Sequence, residues 1–356
     1  MDHIKIKGYK SIKSLDLALS SVNILIGANG SGKSNFVSFF KFLNNLYHQN
    51  LAQYVSLNGG VEKFLFQGRK VTASITGEIS INNGNRKNGY WFSMKPGESG
   101  FVFTNERLSS EKEDWSLARF STESSVKLDA RAEATSIKKY LGNLRLYHFQ
   151  DTGRQSPFNS LSNIENDIHF LYEDGQNLAA YLYHIREKHK FAYKRIIKTI
   201  QSIAPFFSDF YLEANREGYI QLQWQDKSGN LVFGTRDLSD GTLRFIALTT
   251  LFLQPNLPQA IIIDEPELGL HPFAIAKLAG LIKSASTRGC KIILATQSSD
   301  LISYFSPEDI ITVDQKHGAS VFNKLSKSEL EYWLNEYSLG DLWRKNIISG
   351  AQPVID

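Results

Sequence analysis

The stretch "GANGSGKS", Gly27 to Ser34, has the spacing glycine, four residues, then Gly-Lys-Ser. Gly27, Gly30 and Gly32 let the backbone turn tightly, so that its N–H groups converge on an anion. At that spacing Lys33 reaches the outer phosphates of a nucleotide, and the Ser34 hydroxyl serves a magnesium ion. Asn29, Gly30, Ser31, Gly32 and Asn35 complete the expected phosphate lining. A second cluster, "AIIIDEPELGLHP" (Ala260 to Pro272), is an apolar run ending in two carboxylates. Unpaired buried charge is costly, so Asp-Glu at that place calls for a cation or a reaction. Asp264 is expected to hold Mg²⁺, and Glu265 to act as general base on a water that attacks ATP. A third cluster, "LSDGTLR" (Leu238 to Arg244), places Ser, Asp and Gly between apolar runs. By itself it satisfies ordinary turn chemistry.

These groups need elements to hold them. "VNILIG" reads as a buried strand ending in glycine, and "NFVSFFKFLNNLY" has helical spacing. The phosphate loop therefore lies between a strand and a helix N-terminus, whose dipole favours an anion. Upstream, "HIKIKGYKSIKSLDLAL" puts Ile4, Ile6, Leu15, Leu17 and Leu19 on one face at period two. From about 70 to 130, "TASITGEISI", "NGYWFSMK" and "GFVFTN" alternate like short antiparallel strands. "SSEKEDWS" and "STESSVKLDARAEATS" are polar and are expected to be exposed or mobile. "NLRLYHFQ" returns to the core sheet, and residues from about 160 to 207 read as helices. The last third alternates helix and strand, which argues for an α/β core with parallel strands.

The order of phosphate loop, long insertion, "LSDGT" and carboxylate strand resembles the ABC-type ATPases, whose signature is LSGGQ. Ser239 and Gly241 match that motif, Asp240 replaces its first glycine, and Thr242 opens the helix behind. The resemblance implies that Ser239 and Gly241 of one subunit meet the γ-phosphate held by another. The nucleotide would then join an ATP-dependent head-to-head homodimer. Asp240, repelled by phosphate, would point away, to cap its helix or to meet the partner chain. In "KIILATQSSDLIS", Gln297 stands where that family carries a switch histidine; it can bond a γ-phosphate but cannot carry charge. Gln150 in "YHFQDT" matches the glutamine that senses Mg²⁺, with Gln67 in "FLFQG" as the competing choice.

The opening "IKGYKSIKSLDLALSSVNILIGANGSGKSN" and the run "DEPELGLHP" are similar to the RecF, SMC and OLD branch of these ATPases. The implied fold is an α/β P-loop NTPase with an ABC-type ATPase head. It has a mixed, mainly parallel core sheet, an N-terminal antiparallel β region and a helical insertion. One head is expected over 1–356, with an N-terminal lobe at 1–155, a helical lid region at 156–237 and a C-terminal lobe at 238–356. Neither the long coiled coils of SMC proteins nor the Toprim domain of OLD nucleases has a counterpart in the sequence. The implied cofactors are ATP and Mg²⁺. The implied role is a clamp or switch on DNA, in repair, recombination or anti-phage defence, with a nuclease or other effector as partner. A transporter-type ATPase subunit and a regulatory nucleotide-binding module with little turnover are the alternatives.

Composition bounds the rest. The chain has 356 residues, 42% hydrophobic and 21% charged, as in ordinary folded domains. The net charge of +4 permits contact with nucleic acid without arguing for it. His184, His189 and Lys190 mark a basic helical face that could touch a nucleic-acid backbone or simply face solvent. One cysteine, Cys290, beside an apolar run, is expected to be a buried structural thiol in a reducing cytoplasm. No signal-peptide core or membrane-length apolar run is apparent, and the histidine spacing suggests no zinc site.

Overall fold

The structure, a computed structural model, describes residues 1–83, 86–98, 100–110, 113–117, 120–132, 134–229 and 231–349. It divides into two units: Met1–Leu144 with Gln259–Ile262 and Ile293–Asp356, and Arg145–Pro258 with Ile263–Ile292.

The first unit contains an antiparallel sheet in the order Ile12–Ala18, His3–Tyr9, Ile75–Asn83, Arg86–Pro96, Phe101–Ser109, Asp114–Ser116. The period-two pattern is realised in its register, with Ile4 opposite Leu17 and Ile6 opposite Leu15, all four buried. The antiparallel region expected near 70–130 is present. It is continuous with the N-terminal hairpin, because Ile4 also pairs with Ile79.

The unit's second sheet is mixed. Val22–Ile26 runs parallel to Ile310–Lys316, which in turn pairs antiparallel with Ala319–Lys324. On its other side, within this unit, Val22–Ile26 neighbours residues 293–296 of strand Lys291–Thr296, and residues 260–262 of strand Ala260–Asp264 follow. All five residues of Val22–Ile26 are buried, which suits a central strand written as a continuous apolar run.

Helix Lys33–His48 buries Phe36, Phe39, Phe40, Phe42, Leu43 and Leu46, more than a single stripe. Phe39 meets Tyr9 and Phe92 of the antiparallel sheet, with ring centroids 5.1 and 6.5 Å away. Phe36 meets Phe322 of the mixed sheet at 5.5 Å. The helix behind the phosphate loop therefore has a sheet on each side.

The polar segment after residue 119 departs from expectation. Ser124 and Val126 are buried, because Glu106, itself fully buried, draws the segment in. The Glu106 carboxylate accepts from Tyr90 Oη at 2.7 Å, from Ser124 Oγ and from the Ser125 N–H at 3.0 Å. Burial first, and then the Glu106 charge, push the Tyr90 phenol well above its ordinary range. Glu123 accepts from the N–H groups of Leu51 and Ala52, at 3.1 and 2.9 Å, at the start of helix Leu51–Leu57. A buried carboxylate must be hydrogen-bonded, and here a polar segment supplies the donors.

The second unit holds helices Leu178–Lys188, Lys190–Ile203, Asp240–Leu253 and Pro272–Thr287. It also holds the antiparallel strands Phe207–Phe210, Gln223–Asp226 and Val232–Gly234. The helical pattern expected from about 160 is realised only from Leu178. Before it, the fully buried Asn177 donates to the carbonyls of Asp167 (2.8 Å) and Phe170 (2.7 Å) and accepts from Tyr172 N–H (2.8 Å). Such side-chain bonds offer the backbone an alternative to a helix. Cys290 is buried, as its neighbours imply. Among the described residues no helix is long and apolar enough to cross a membrane.

Candidate functional site

The first unit carries the phosphate loop, between strand Val22–Ile26 and helix Lys33–His48. Gly30 (φ 79°) and Gly32 (φ 112°) take the left-handed conformations that glycine permits. Gly27 does not; a Cβ there would collide with the Val313 carbonyl oxygen and lie 2.7 Å from Ser31 Oγ. Its role is close approach and not, as expected, tight turning. Lys33 is buried and arches back, its Nζ donating to the carbonyls of Gly27 (2.6 Å) and Ala28 (3.0 Å). Ser31 Oγ is buried and has no hydrogen-bond partner among the described residues. A buried, unmet hydroxyl costs about 1–3 kcal/mol. A phosphate oxygen would satisfy it, so this loop fits the group its sequence implies. Asn29, Gly30 and Ser34 are exposed, Ser34 in the first helical turn. Asn35 is turned elsewhere: its Nδ2 donates to Ser11 Oγ at 2.8 Å.

A cavity of about 620 Å³ adjoins the loop through Asn35 and is lined also by Lys10, Asn58, Phe64 and Gln67. Lys10 (φ 47°) and Gln67 (φ 54°) both hold left-handed backbone there. Burial lowers the Lys10 ammonium below its usual range, while its Nζ donates to Ser38 Oγ at 3.0 Å and lies 5.4 Å from the Phe64 ring centre. Gln297 is exposed, directly after the strand next to Val22–Ile26. Within this unit Asn35, next to the loop, and Gln67 line one groove, and Gln297 follows the strand that neighbours Val22–Ile26.

The second unit carries the carboxylates and the signature segment. Asp264 ends strand Ala260–Asp264, and Glu265 follows with φ 46°. Left-handed backbone costs a non-glycine residue roughly 1–2 kcal/mol. Such strain clusters at functional positions. Both acids are half-buried. His271 caps helix Pro272–Thr287, its Nδ1 accepting from Phe273 N–H at 3.3 Å.

Helix Asp240–Leu253 opens two residues earlier than expected, and Ser239 is its cap. Ser239 Oγ accepts from Thr242 N–H at 3.2 Å and lies 2.8 Å from Thr242 Oγ1. Ser239 and Asp240 are exposed, and Asp240 complements the helix dipole from the first turn. Gly241 is packed tightly; a Cβ there would collide with the Gly269 carbonyl oxygen.

Sequence reasoning missed Arg244. It is 5% exposed, and its guanidinium donates to the carbonyls of Phe149 (2.9 Å), Gln150 (3.0 Å) and Leu268. Its planar fork ties the signature helix to the Gln150 loop and to the turn after Glu265. The signal was available: Arg244 is the only charge in the otherwise uncharged "TLRFIALTTLFL". Within this unit Gln150, Ser239, Gly241 and the Glu265 turn are therefore mechanically joined.

Comparison with known proteins agrees with this architecture. A family model described as "AAA domain, putative AbiEii toxin, Type IV TA system" matches residues 22–303. An SMC head bound to the C-winged helix domain of ScpA superposes with a TM-score of 0.64 at 18% identity, covering 92% of this chain and 98% of that one. An SMC head with an extended coiled coil, bound to the C-terminal domain of ScpA and derived from Pyrococcus furiosus, gives 0.61 at 16% identity, covering 94% and 98%. A tungstate uptake ATP-binding protein of Campylobacter jejuni is 34% identical over 84 residues, 24% of each chain. That match spans about a quarter of the relative's length.

Proposed function

Because the chain belongs to this AAA-domain family and has the fold of an SMC ATPase head, we propose that it binds MgATP and hydrolyses it within an ATP-joined dimer acting on DNA. The observation that carries the reading is the phosphate loop, with its glycine-lined curve and the unmet Ser31 hydroxyl. Loop N–H groups, Ser31 and Lys33 bind and orient the phosphates. Hydroxyl and carboxylate oxygens are the hard donors that Mg²⁺ prefers, so Ser34 and Asp264 hold the metal, with Gln150 as its sensor. The bound metal offsets charge on the phosphates. Glu265 takes a proton from water, and Gln297 hydrogen-bonds the γ-phosphate. The exposed Ser239 and Asp240 leave the signature end free for a second copy.

DNA is supported by where the charge lies. Residues 184–198 contain six Lys or Arg against one Glu, a local net of +5, while the whole chain carries +4. Lys188, Lys190, Lys194, Arg195 and Lys198 are exposed, alongside Phe191 at 88%. Such a stripe matches a phosphate backbone, with an aromatic ring available for stacking. A nuclease or other effector would act downstream, in repair, recombination or phage defence.

The test is light scattering of Glu265→Gln with and without ATP. Retained ATP binding with a doubled mass is expected. A strict monomer saturated with ATP removes the dimer. Gln297 favours a second reading, a regulatory module with little turnover, since it lacks a histidine's charge. Fast wild-type hydrolysis, unchanged by Gln297→His, removes that second reading. Copurification with a membrane permease would instead support a transporter role.

A further inference from the structure

We infer that Ser320, near the chain's other end, is a positioning residue for the phosphate loop; the inference rests on the loop being a nucleotide site. Ser320 lies on strand Ala319–Lys324 and is 3% exposed. Its Oγ donates to the Ser31 carbonyl oxygen at 2.6 Å and lies 2.7 Å from Ser11 Oγ. Its own N–H donates to the Ser11 carbonyl at 2.8 Å. Ser11 Oγ in turn accepts from Asn35 Nδ2 at 2.8 Å. Ser11, Ser31, Asn35 and Ser320 all belong to the first unit.

The consequence follows from peptide geometry. The Ser31–Gly32 peptide is planar, and the described chain contains no cis bond. In a trans peptide the N–H points opposite to the C=O. While Ser320 holds the Ser31 carbonyl, the Gly32 N–H must point away from Ser320. That directs it to the open side of the loop, where a phosphate would sit. Glycine would otherwise let this peptide rotate cheaply. Gly32 also leaves no room on the Ser320 side, since a Cβ there would collide with Ser320 Oγ and lie 2.8 Å from Ser11 Oγ. The same hairpin supports the loop's other end through the Val313 carbonyl beneath Gly27. The hairpin Ile310–Lys324 thus holds both ends of the loop, although residues 31 and 320 lie 289 positions apart in sequence.

The test compares Ser320→Thr with Ser320→Val in the full chain. The two side chains are alike in shape and differ in the hydroxyl, so any damage from the added methyl is shared. ADP affinity is read by titration calorimetry and nucleotide-free stability by thermal melting. One hydrogen bond is worth about 1 kcal/mol, or roughly five-fold in affinity. Ser320→Val is expected to bind ADP about five-fold more weakly than Ser320→Thr, and Ser320→Thr to stay near wild type. The Gly32 amide resonance in ¹⁵N-glycine-labelled protein should move on ADP addition in the Thr variant and move less in the Val variant. Equal ADP affinity in the two variants overturns the inference. So does a Val variant that melts lower while binding ADP as tightly as the Thr variant, since that is a structural role alone. If wild type itself fails to bind ADP, the nucleotide reading falls instead.

Discussion

Two helix starts, at Gly32 and at Ser239, are proposed to meet a phosphate, and the chain holds them in opposite ways. Around Gly32 the neighbours are buried, with Ser31 at 4% exposure and Lys33 at 6%, and side chains from distant strands fix the backbone. Around Ser239 the cap is local, and Ser239 and Asp240 stand in solvent. Its support comes from beneath, through Leu238, Gly241 against Gly269, and the Arg244 fork. The first start is fixed by contacts from far along the sequence, and under the proposed function it holds a phosphate within its own subunit. The second is capped locally and exposed, and under the same proposal it meets a nucleotide held by another copy.

The strongest way to break this contrast is Gly32→Ala. The Cβ meets Ser320 and must also take φ 112°, so strain and overpacking together cost about 3 kcal/mol, roughly 100-fold in ADP affinity by titration. Arg244→Ala comes next, because three carbonyls lose their donor; unfolding in urea should show a loss of about 2 kcal/mol. Arg244→Lys should recover little of it, since an ammonium cannot reproduce the fork. Ser239→Ala removes a cap worth about 1 kcal/mol of stability. It should leave ADP binding intact while ATP-dependent association, by light scattering, weakens. Normal association in that variant would erase the proposed difference between the two sites. Asp240→Gly should have the smallest effect, a few tenths of a kcal/mol in stability. Dimer should then form at lower protein concentration if the carboxylate only repels phosphate.

What could be read in the sequence was local. The phosphate loop, the carboxylate strand and the helix after "LSDGT" each announce themselves within a dozen residues, and each lies on the expected element. What could not be read depends on partners far along the chain. Nothing in "ASVFNK" marks Ser320 as the residue that holds Ser31, and nothing in "STESS" shows that buried Glu106 will draw it inward. Asn177 converts a helical-looking stretch into turns by spending its side chain on three backbone groups. Even glycines that were correctly noticed carry different reasons. Gly27 and Gly241 are required by carbonyls that approach from Val313 and Gly269, which no local pattern records.

The left-handed backbone at Glu265 has a consequence for how this chain would evolve under selection. Glycine at 265 would relieve that strain at once. Glu265→Gly would keep the turn at a lower backbone cost while removing the carboxylate. If Glu265 is the proposed general base, backbone ease and turnover compete at this single position, and glutamate kept there in a lineage would report that hydrolysis is being maintained.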